Sequence, residues 1–460
     1  MEIAFTCTDM LGHLMPLLPY IDEISRRGHH VTLFLPNHPK YVQKIEEFGL
    51  KRDNIRLVQY EPTQRNSILS TIPNGGPMSA LCSGIYDAMM ELYKNDCKKP
   101  AVVVADFFTS PAFDAGDSLE VPVIVVYPNP LGLGSLGALP APHLRTVFDI
   151  PRELACIVGE ACLARILCLL RNLERSKRHL PSLEEQDLYP CYTMQRPMLS
   201  CSGNGFEYQF QPPLPAALFR STGPTPFPLG SYPLVEGELS TWFSQQITVV
   251  YVAFGTMHTF NLKTARELHS QLQELCANFS KNGVGVLWSL PASQQDLLSV
   301  NHEGKSTSVR LESFVPQYAV LAHSKTAVFV THCGANSVYE ALLNSVPMVC
   351  CPTGKDQPAN AARVVSSGAG VYAEGGVKGV FKALNSLLQP ERLSQYQKKV
   401  NLVRKALTAQ GGSVAGADFI EEVGRGGVGM NSSRPKRWSW SLWGTAAFVL
   451  AMGLQLVSKF

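Results

Sequence analysis

The stretch from residue 314 to residue 360 constrains this 460-residue chain more than any other. Lys325–Thr331 (KTAVFVT) is β-branched and apolar, which predicts a buried strand. A glycine-containing turn follows, then a predicted helix over Gly334–Leu343 and a further strand over Pro347–Cys351. A buried strand that feeds a helix through such a turn belongs to a layered α/β architecture. It also creates an anion site, because the first backbone N–H groups of the helix lack partners and the dipole is positive there. The dipole alone is worth ~0.3–1 kcal/mol to an anion, and ~2 kcal/mol in a partly buried setting. Asn336 and Ser337 add side-chain donors in the first turn, and His332 adds another at the strand end. Glu340 falls three and four residues further on, hence on the same face. A carboxylate there repels a phosphate but accepts hydrogen bonds from sugar hydroxyls. Any one of these residues fits an ordinary strand-turn-helix. The ordered set of Phe314, Gln317, His332, Gly334, Asn336, Ser337, Glu340, Asp356 and Gln357 is much harder to place in one.

This ordered segment resembles the donor-site signature of the family 1 UDP-glycosyltransferases, and it does so over about 45 residues without a gap. The resemblance implies an α/β chain of the GT-B class, with two Rossmann-like domains facing across a cleft. It implies that Phe314 stacks on uracil, with Val315 and Gln317 beside the base. His332, Gly334, Asn336 and Ser337 would hold the diphosphate, Glu340 the ribose, and Asp356 with Gln357 the sugar hydroxyls. Phe314 and Ala335 depart from the plant form of the pattern, in which tryptophan occupies both positions. The first change keeps a smaller stacking face, and the second removes a contact near the sugar.

A second phosphate element precedes the signature. Ile247–Phe254 (ITVVYVAF) predicts a strand, and Gly255 and Thr256 follow it. A glycine lets a phosphate approach the backbone, and the threonine hydroxyl can donate. In the N-terminal half, Glu2–Cys7 predicts a strand leading into Gly12-His13-Leu14-Met15-Pro16, similar to the family's opening motif. Ala101–Ala105 predicts another buried strand, ending at Asp106. Both His13 and Asp106 then lie at the carboxyl edge of a sheet, where open α/β sheets bind ligands. A histidine beside a buried carboxylate forms a base whose tautomer is fixed, and the resemblance implies that this dyad deprotonates an acceptor hydroxyl. Asp106 is also suited to cap a helix predicted at Phe107–Asp117. Gly132, Gly134 and Gly137 match a dinucleotide fingerprint literally, but Pro140 and Pro142 interrupt the helix it requires. Pro128–Pro142 is therefore read as a loop over the acceptor pocket. No metal-ligand spacing is present, so neither a metal nor a cofactor is expected, and the UDP-sugar acts as a co-substrate.

The chain is 45% hydrophobic and can bury two sizeable cores. The expected partition is an acceptor-binding domain at 1–211, a proline-rich linker at 212–240 and a UDP-sugar-binding domain at 241–423. A basic, glycine-containing linker at 424–437 and a membrane-spanning tail at 438–458 complete it. Domain closure would gate the cleft. The net charge of +3 is small, and the basic residues are scattered, so no nucleic-acid partner is expected. The 12 cysteines show no paired spacing; Cys156, Cys162 and Cys168 fall in one apolar helix, which fits a reducing compartment.

No charged residue occurs between Trp438 and Ser458, and roughly 20 apolar residues suffice to span a bilayer. Arg434, Lys436 and Arg437 precede this run and only Lys459 follows, a bias that leaves the enzyme on the cytosolic side, as at the endoplasmic reticulum. An interfacial helix is the alternative. No secretory signal is read at the N-terminus, where Glu2 and Asp9 interrupt the apolar run.

The sequence thus points to inverting transfer of a sugar, UDP-glucose being the first donor expected, to a hydroxyl of a small lipophilic acceptor. GlcNAc transfer to a membrane lipid and a non-catalytic nucleotide-sugar-binding membrane subunit are the alternatives. The sequons at Asn278 and Asn431 are expected to stay unmodified, and an unchanged mass of the native protein after glycosidase treatment checks this.

Overall fold

Two parallel sheets are built from continuous apolar runs, as expected of strands covered on both faces. The computed structural model describes residues 1–61, 84–95, 98–128, 130, 172–173, 175–176, 178–182, 196–207, 218–225, 235–255, 258–298, 309–354 and 356–426. In the N-terminal lobe the strands are β1 (Glu2–Thr6), β2 (His30–Pro36), β3 (Ile55–Tyr60), β4 (Val102–Asp106), β5 (Val123–Tyr127), β6 (Met198–Ser200) and β7 (Phe219–Ser221). They lie in the order β3-β2-β1-β4-β5-β6-β7. The C-terminal lobe has β8 (Thr248–Ala253), β9 (Val284–Ser289), β10 (Val309–Glu312), β11 (Thr326–Thr331), β12 (Met348–Cys350) and β13 (Gly370–Tyr372). Their order is β10-β9-β8-β11-β12-β13.

Each sheet reverses its winding once, between β1 and β4 in the first lobe and between β8 and β11 in the second. At the first reversal Thr6 pairs with Ala105, and at the second Ala253 pairs with Thr331. The loops that leave these four strands therefore emerge side by side, which is where such sheets form ligand crevices. The core of the second lobe shows why its sheet is fixed in register. Val249 and Tyr251 face one apolar layer with Phe329 and Met348, while Val250 and Val252 face the other with Val328 and Val330. A one-residue slip would exchange the two layers.

The helix Gly412–Gly424 crosses back to the N-terminal lobe. Arg27 Nη1 donates to Asp418 Oδ1 at 2.7 Å, and His29 Nε2 lies 3.0 Å from Glu421 Oε1. Gly416 sits against the ring of Tyr20, whose hydroxyl meets Thr222 Oγ1 at 2.7 Å. The last part of the segment assigned from sequence to the C-terminal domain thus packs on the N-terminal sheet.

Several sequence expectations fall outside the described residues: the glycine run at Gly132–Gly137, the apolar helix with its three cysteines, most of the proline-rich linker, Thr256 and the tail at 438–458. Among the described residues no helix is long and apolar enough to cross a membrane.

A Cβ added at Gly416 would lie 2.2 Å from Tyr20 Cε1, and the bond to Thr222 restrains that ring. Gly416→Ala is expected to cost about 1–3 kcal/mol through overpacking. The check is a lower midpoint in thermal or urea denaturation of the full chain.

Candidate functional site

The first half of the site forms at the β1/β4 reversal. After β1 the chain enters a short helical turn, Leu11–Leu14, which carries His13. Asp106 ends β4 and is fully buried. His13 Nδ1 lies 2.7 Å from Asp106 Oδ2, and the second carboxylate oxygen accepts the backbone N–H of Phe108 at 2.9 Å. Asp106 therefore holds the imidazole and the loop after β4 rather than capping the next helix. That helix begins at Ser110, later than the sequence reading placed it, with Thr109 as its N-cap residue. The rings of Phe107 and Phe108 flank the imidazole at centroid distances of 5.6 and 5.0 Å. With Nδ1–H donated to a buried carboxylate, the lone pair of a neutral His13 is on Nε2.

The second half forms at the β8/β11 reversal. His332 follows β11 and its Nε2 is wedged between two glycines. A Cβ added at Gly255 would approach it to 2.8 Å, and one added at Gly334 to 2.6 Å. Gly255 has φ +72°, and Gly334 is the N-cap of the Ala335–Leu343 helix. Having no side chain, Gly334 leaves the first-turn N–H groups without a side-chain cap. Between the histidine and this glycine, Cys333 adopts φ +66°, a left-handed backbone that costs a non-glycine residue about 1–2 kcal/mol. Asn360 Nδ2 donates to the Cys333 carbonyl at 3.0 Å, and the Cys333 N–H reaches Thr331 Oγ1 at 3.2 Å. Burial, with nearby His258 contributing, pushes the His332 pKa down to about 4. The imidazole is therefore neutral at physiological pH and acts as a dipole rather than as a cation.

Gln317, Ser337 and Glu340 are brought into one cluster. Gln317 Nε2 donates to Glu340 Oε2 at 2.9 Å and to Ser337 Oγ at 3.2 Å, and its Oε1 accepts from Tyr251 OH at 3.4 Å. Desolvation of the Glu340 carboxyl pushes its pKa up to about 7, against the opposing bond from Gln317. Asp356 and Gln357 open the next helix. Asp356 Oδ2 accepts from Asn360 Nδ2 at 2.7 Å, and Gln357 Oε1 accepts from both Thr353 N and Thr353 Oγ1 at 2.8 Å. Val315 is buried in the core, whereas Phe314 next to it is 75% exposed and offers an open ring face.

The two halves meet directly. Asn336 Nδ2, in the first turn of the Ala335–Leu343 helix, donates across the cleft to the Gly12 carbonyl at 3.1 Å. Beside this contact Met15, Pro16 and Pro128 of the first lobe face Asn336, Tyr339 and Glu340 of the second around a small apolar cavity. Sequence reasoning missed Tyr251 and His258. The first lies inside a strand and looked like core. The second follows Gly255 by three residues, and that spacing was its only signal. Among the described residues no cluster of histidine, cysteine or acidic side chains is arranged to hold a metal ion.

Known proteins share this fold and part of this sequence. Residues 238–402 match the family model described as UDP-glucoronosyl and UDP-glucosyl transferase. A UDP-glucosyltransferase of Hordeum vulgare is 34% identical over 189 residues, which is 38% of this chain and 38% of that enzyme. The chain thus aligns with well under two thirds of the length of such curated relatives. Among solved structures, the kitacinnamycin glycotransferase covers 92% of this chain and 98% of its own at a TM-score of 0.70 and 21% identity. A UDP-glucose:anthocyanidin 3-O-glucosyltransferase in complex with UDP covers 92% and 99% at 0.65 and 21%. At these identities the likeness establishes the fold, which is GT-B.

The Glu340 carboxylate is the form that accepts bonds from hydroxyls, and a group with a pKa of about 7 loses that form as the pH falls. UDP affinity is therefore expected to drop about tenfold more between about pH 8 and pH 6 in the wild type than in Glu340→Gln. Calorimetry on both proteins checks this, because the Gln variant retains the titration of the nucleotide itself.

Proposed function

We propose that this chain, which belongs to the family 1 UDP-glycosyltransferases, transfers a sugar from a UDP-sugar to a hydroxyl of a small acceptor with inversion at the anomeric carbon. The observation that carries the reading is the 2.7 Å bond between His13 and Asp106, set across the cleft from the Ala335–Leu343 helix. Acceptor binding falls to the N-terminal lobe, residues 1–211 completed by β7 and the returning Gly412–Gly424 helix, and donor binding to the C-terminal lobe from residue 241 to that helix.

In the donor half, Phe314 stacks on the uracil, with Val315 and Gln317 beside the base. Glu340, oriented by Gln317, accepts from the ribose. The diphosphate sits at Gly255 and Thr256 and at the first turn of the helix that begins after Gly334, with His332, Asn336 and Ser337 as side-chain donors. Asp356 and Gln357 bind the sugar hydroxyls; Gln357 Oε1 accepts from the Thr353 turn and its amide nitrogen serves the sugar.

In the reaction, His13 Nε2 takes the proton of the acceptor hydroxyl. The oxygen attacks the anomeric carbon on the face opposite UDP, and the bond from that carbon to the diphosphate oxygen breaks. Asp106 stabilises the imidazolium that forms. The negative charge that develops on the leaving diphosphate meets backbone and side-chain donors already in place, which is electrostatic stabilisation without reorganisation. A neutral His332 donates to this oxygen without a competing proton transfer.

UDP-glucose is the first donor to test, since Asp356-Gln357 resembles the glucosyltransferase form of the signature. The anthocyanidin glucosyltransferase likeness supports a small hydroxylated acceptor, and the uncharged run at 438–458 favours a lipophilic one delivered at a membrane. The bonded His13–Asp106 pair favours catalysis over a subunit that only binds.

Removing the base from an otherwise intact site lowers turnover by ~10²–10⁴-fold. His13→Ala is expected to do so with UDP affinity within about twofold of wild type. UDP release with UDP-glucose, UDP-glucuronate, UDP-galactose and UDP-GlcNAc against pooled hydroxylated acceptors checks both the donor and the base. Equal turnover in His13→Ala would remove the dyad from the mechanism.

A further inference from the structure

The Asn336 amide has two N–H groups, and the backbone of the other lobe takes one. Asn336 Nδ2 lies 3.1 Å from the Gly12 carbonyl, 324 residues away in sequence. Gly12 immediately precedes His13 within the Leu11–Leu14 turn, and the His13 N–H in turn donates to the Met10 carbonyl at 3.0 Å. The turn has no side-chain cap at its start. Buried Leu14 and backbone bonds to Met10 and Leu11 seat the turn, and its His13 side is further joined to Asp106 and to Asn336. A Cβ at Gly12 would lie 3.6 Å from the Asn336 nitrogen, an ordinary contact, so the bond to the Gly12 carbonyl does not depend on the missing side chain.

We infer that Asn336 is a positioning residue for His13, a role that goes beyond its place in the diphosphate site. One N–H fixes the base-bearing turn through the Gly12 carbonyl, and the other remains for an oxygen of the diphosphate. The same side chain thus sets the height of His13 above the donor. The second bond rests on the nucleotide-site reading given above; the first does not. A phosphate acceptor makes a charge-assisted bond with the second N–H, and polarisation of the amide strengthens the first. Donor occupancy then tightens the base turn, and the base is best placed when a donor is present to react.

The experiment follows the histidine ring signals of the full chain by NMR, with His13 assigned from His13→Gln, in wild type, Asn336→Ala and Asn336→Asp. Both variants lack the donor that faces Gly12, and Asp keeps the shape of the side chain. In the empty proteins the His13 ring signals of both variants are expected to shift and broaden relative to wild type, while the His332 signals stay in place. At saturating UDP-sugar both variants are expected to lose at least about tenfold in kcat. His13 signals that superimpose on wild type in the empty variants would overturn the positioning role, whatever the nucleotide does. A wild type whose UDP binding is absent by calorimetry, but whose His13 signals respond to Asn336→Ala, would retain the bridge to Gly12 and overturn the nucleotide-site reading and the second bond.

Discussion

The left-handed backbone at Cys333 is the constraint on which the donor half of the cleft depends. At φ +66° it turns the chain sharply between the end of β11 and the helix that starts after Gly334. Without that turn, His332 Nε2 would not lie between Gly255 and Gly334, and the helix would not begin beside it. A strained non-glycine residue persists only where its surroundings over-determine it. Here two partners fix the Cys333 peptide groups: Asn360 on the carbonyl and Thr331 on the N–H. Asn360 also binds Asp356, so the side chain that holds the strained turn also orients the first of the two residues proposed for the sugar. The proposed diphosphate and sugar sites are thereby linked through one amide.

Electrostatics in this half is arranged by desolvation more than by ion pairs. Burial keeps His332 neutral down to about pH 4, and burial raises Glu340 to about 7. Desolvation destabilises the charged form in both cases, which lowers the pKa of a base and raises that of an acid. The consequence differs between the two. A neutral imidazole is suited to donate to a leaving diphosphate and release it afterwards, whereas a cation would hold the product. A carboxyl poised near neutrality regains its charge when hydroxyl donors arrive, a change that the ribose would bring about in the proposed donor site.

Much of this was legible in the sequence because it is local. Strands at Thr326–Thr331 and Met348–Cys350 and the helix at Ala335–Leu343 fall within about two residues of the spans read from apolar periodicity. The His13–Asp106 pair was legible for a different reason: His13 lies in the loop after one predicted parallel strand and Asp106 ends another, and parallel strands put their carboxyl ends at one edge. What remained hidden is long-range or needs a backbone torsion. The start of the helix after Asp106 was misplaced because Asp106 spends its second oxygen on Phe108 N, which delays the helix to Ser110. The return of Gly412–Gly424 to the first lobe depends on Gly416 fitting Tyr20 and on Arg27 meeting Asp418, pairs nearly 400 residues apart. No periodicity reports such contacts.

These long-range contacts determine how the two lobes can work together. The Gly412–Gly424 helix ties this part of the chain to the N-terminal lobe through Tyr20, Arg27 and His29. The Asn336–Gly12 bond ties the lobes at the reacting edge. The hydrogen bond at the reacting edge is single and neutral, whereas the helix carries a network of charged groups, so the tie at the reacting edge is the weaker of the two.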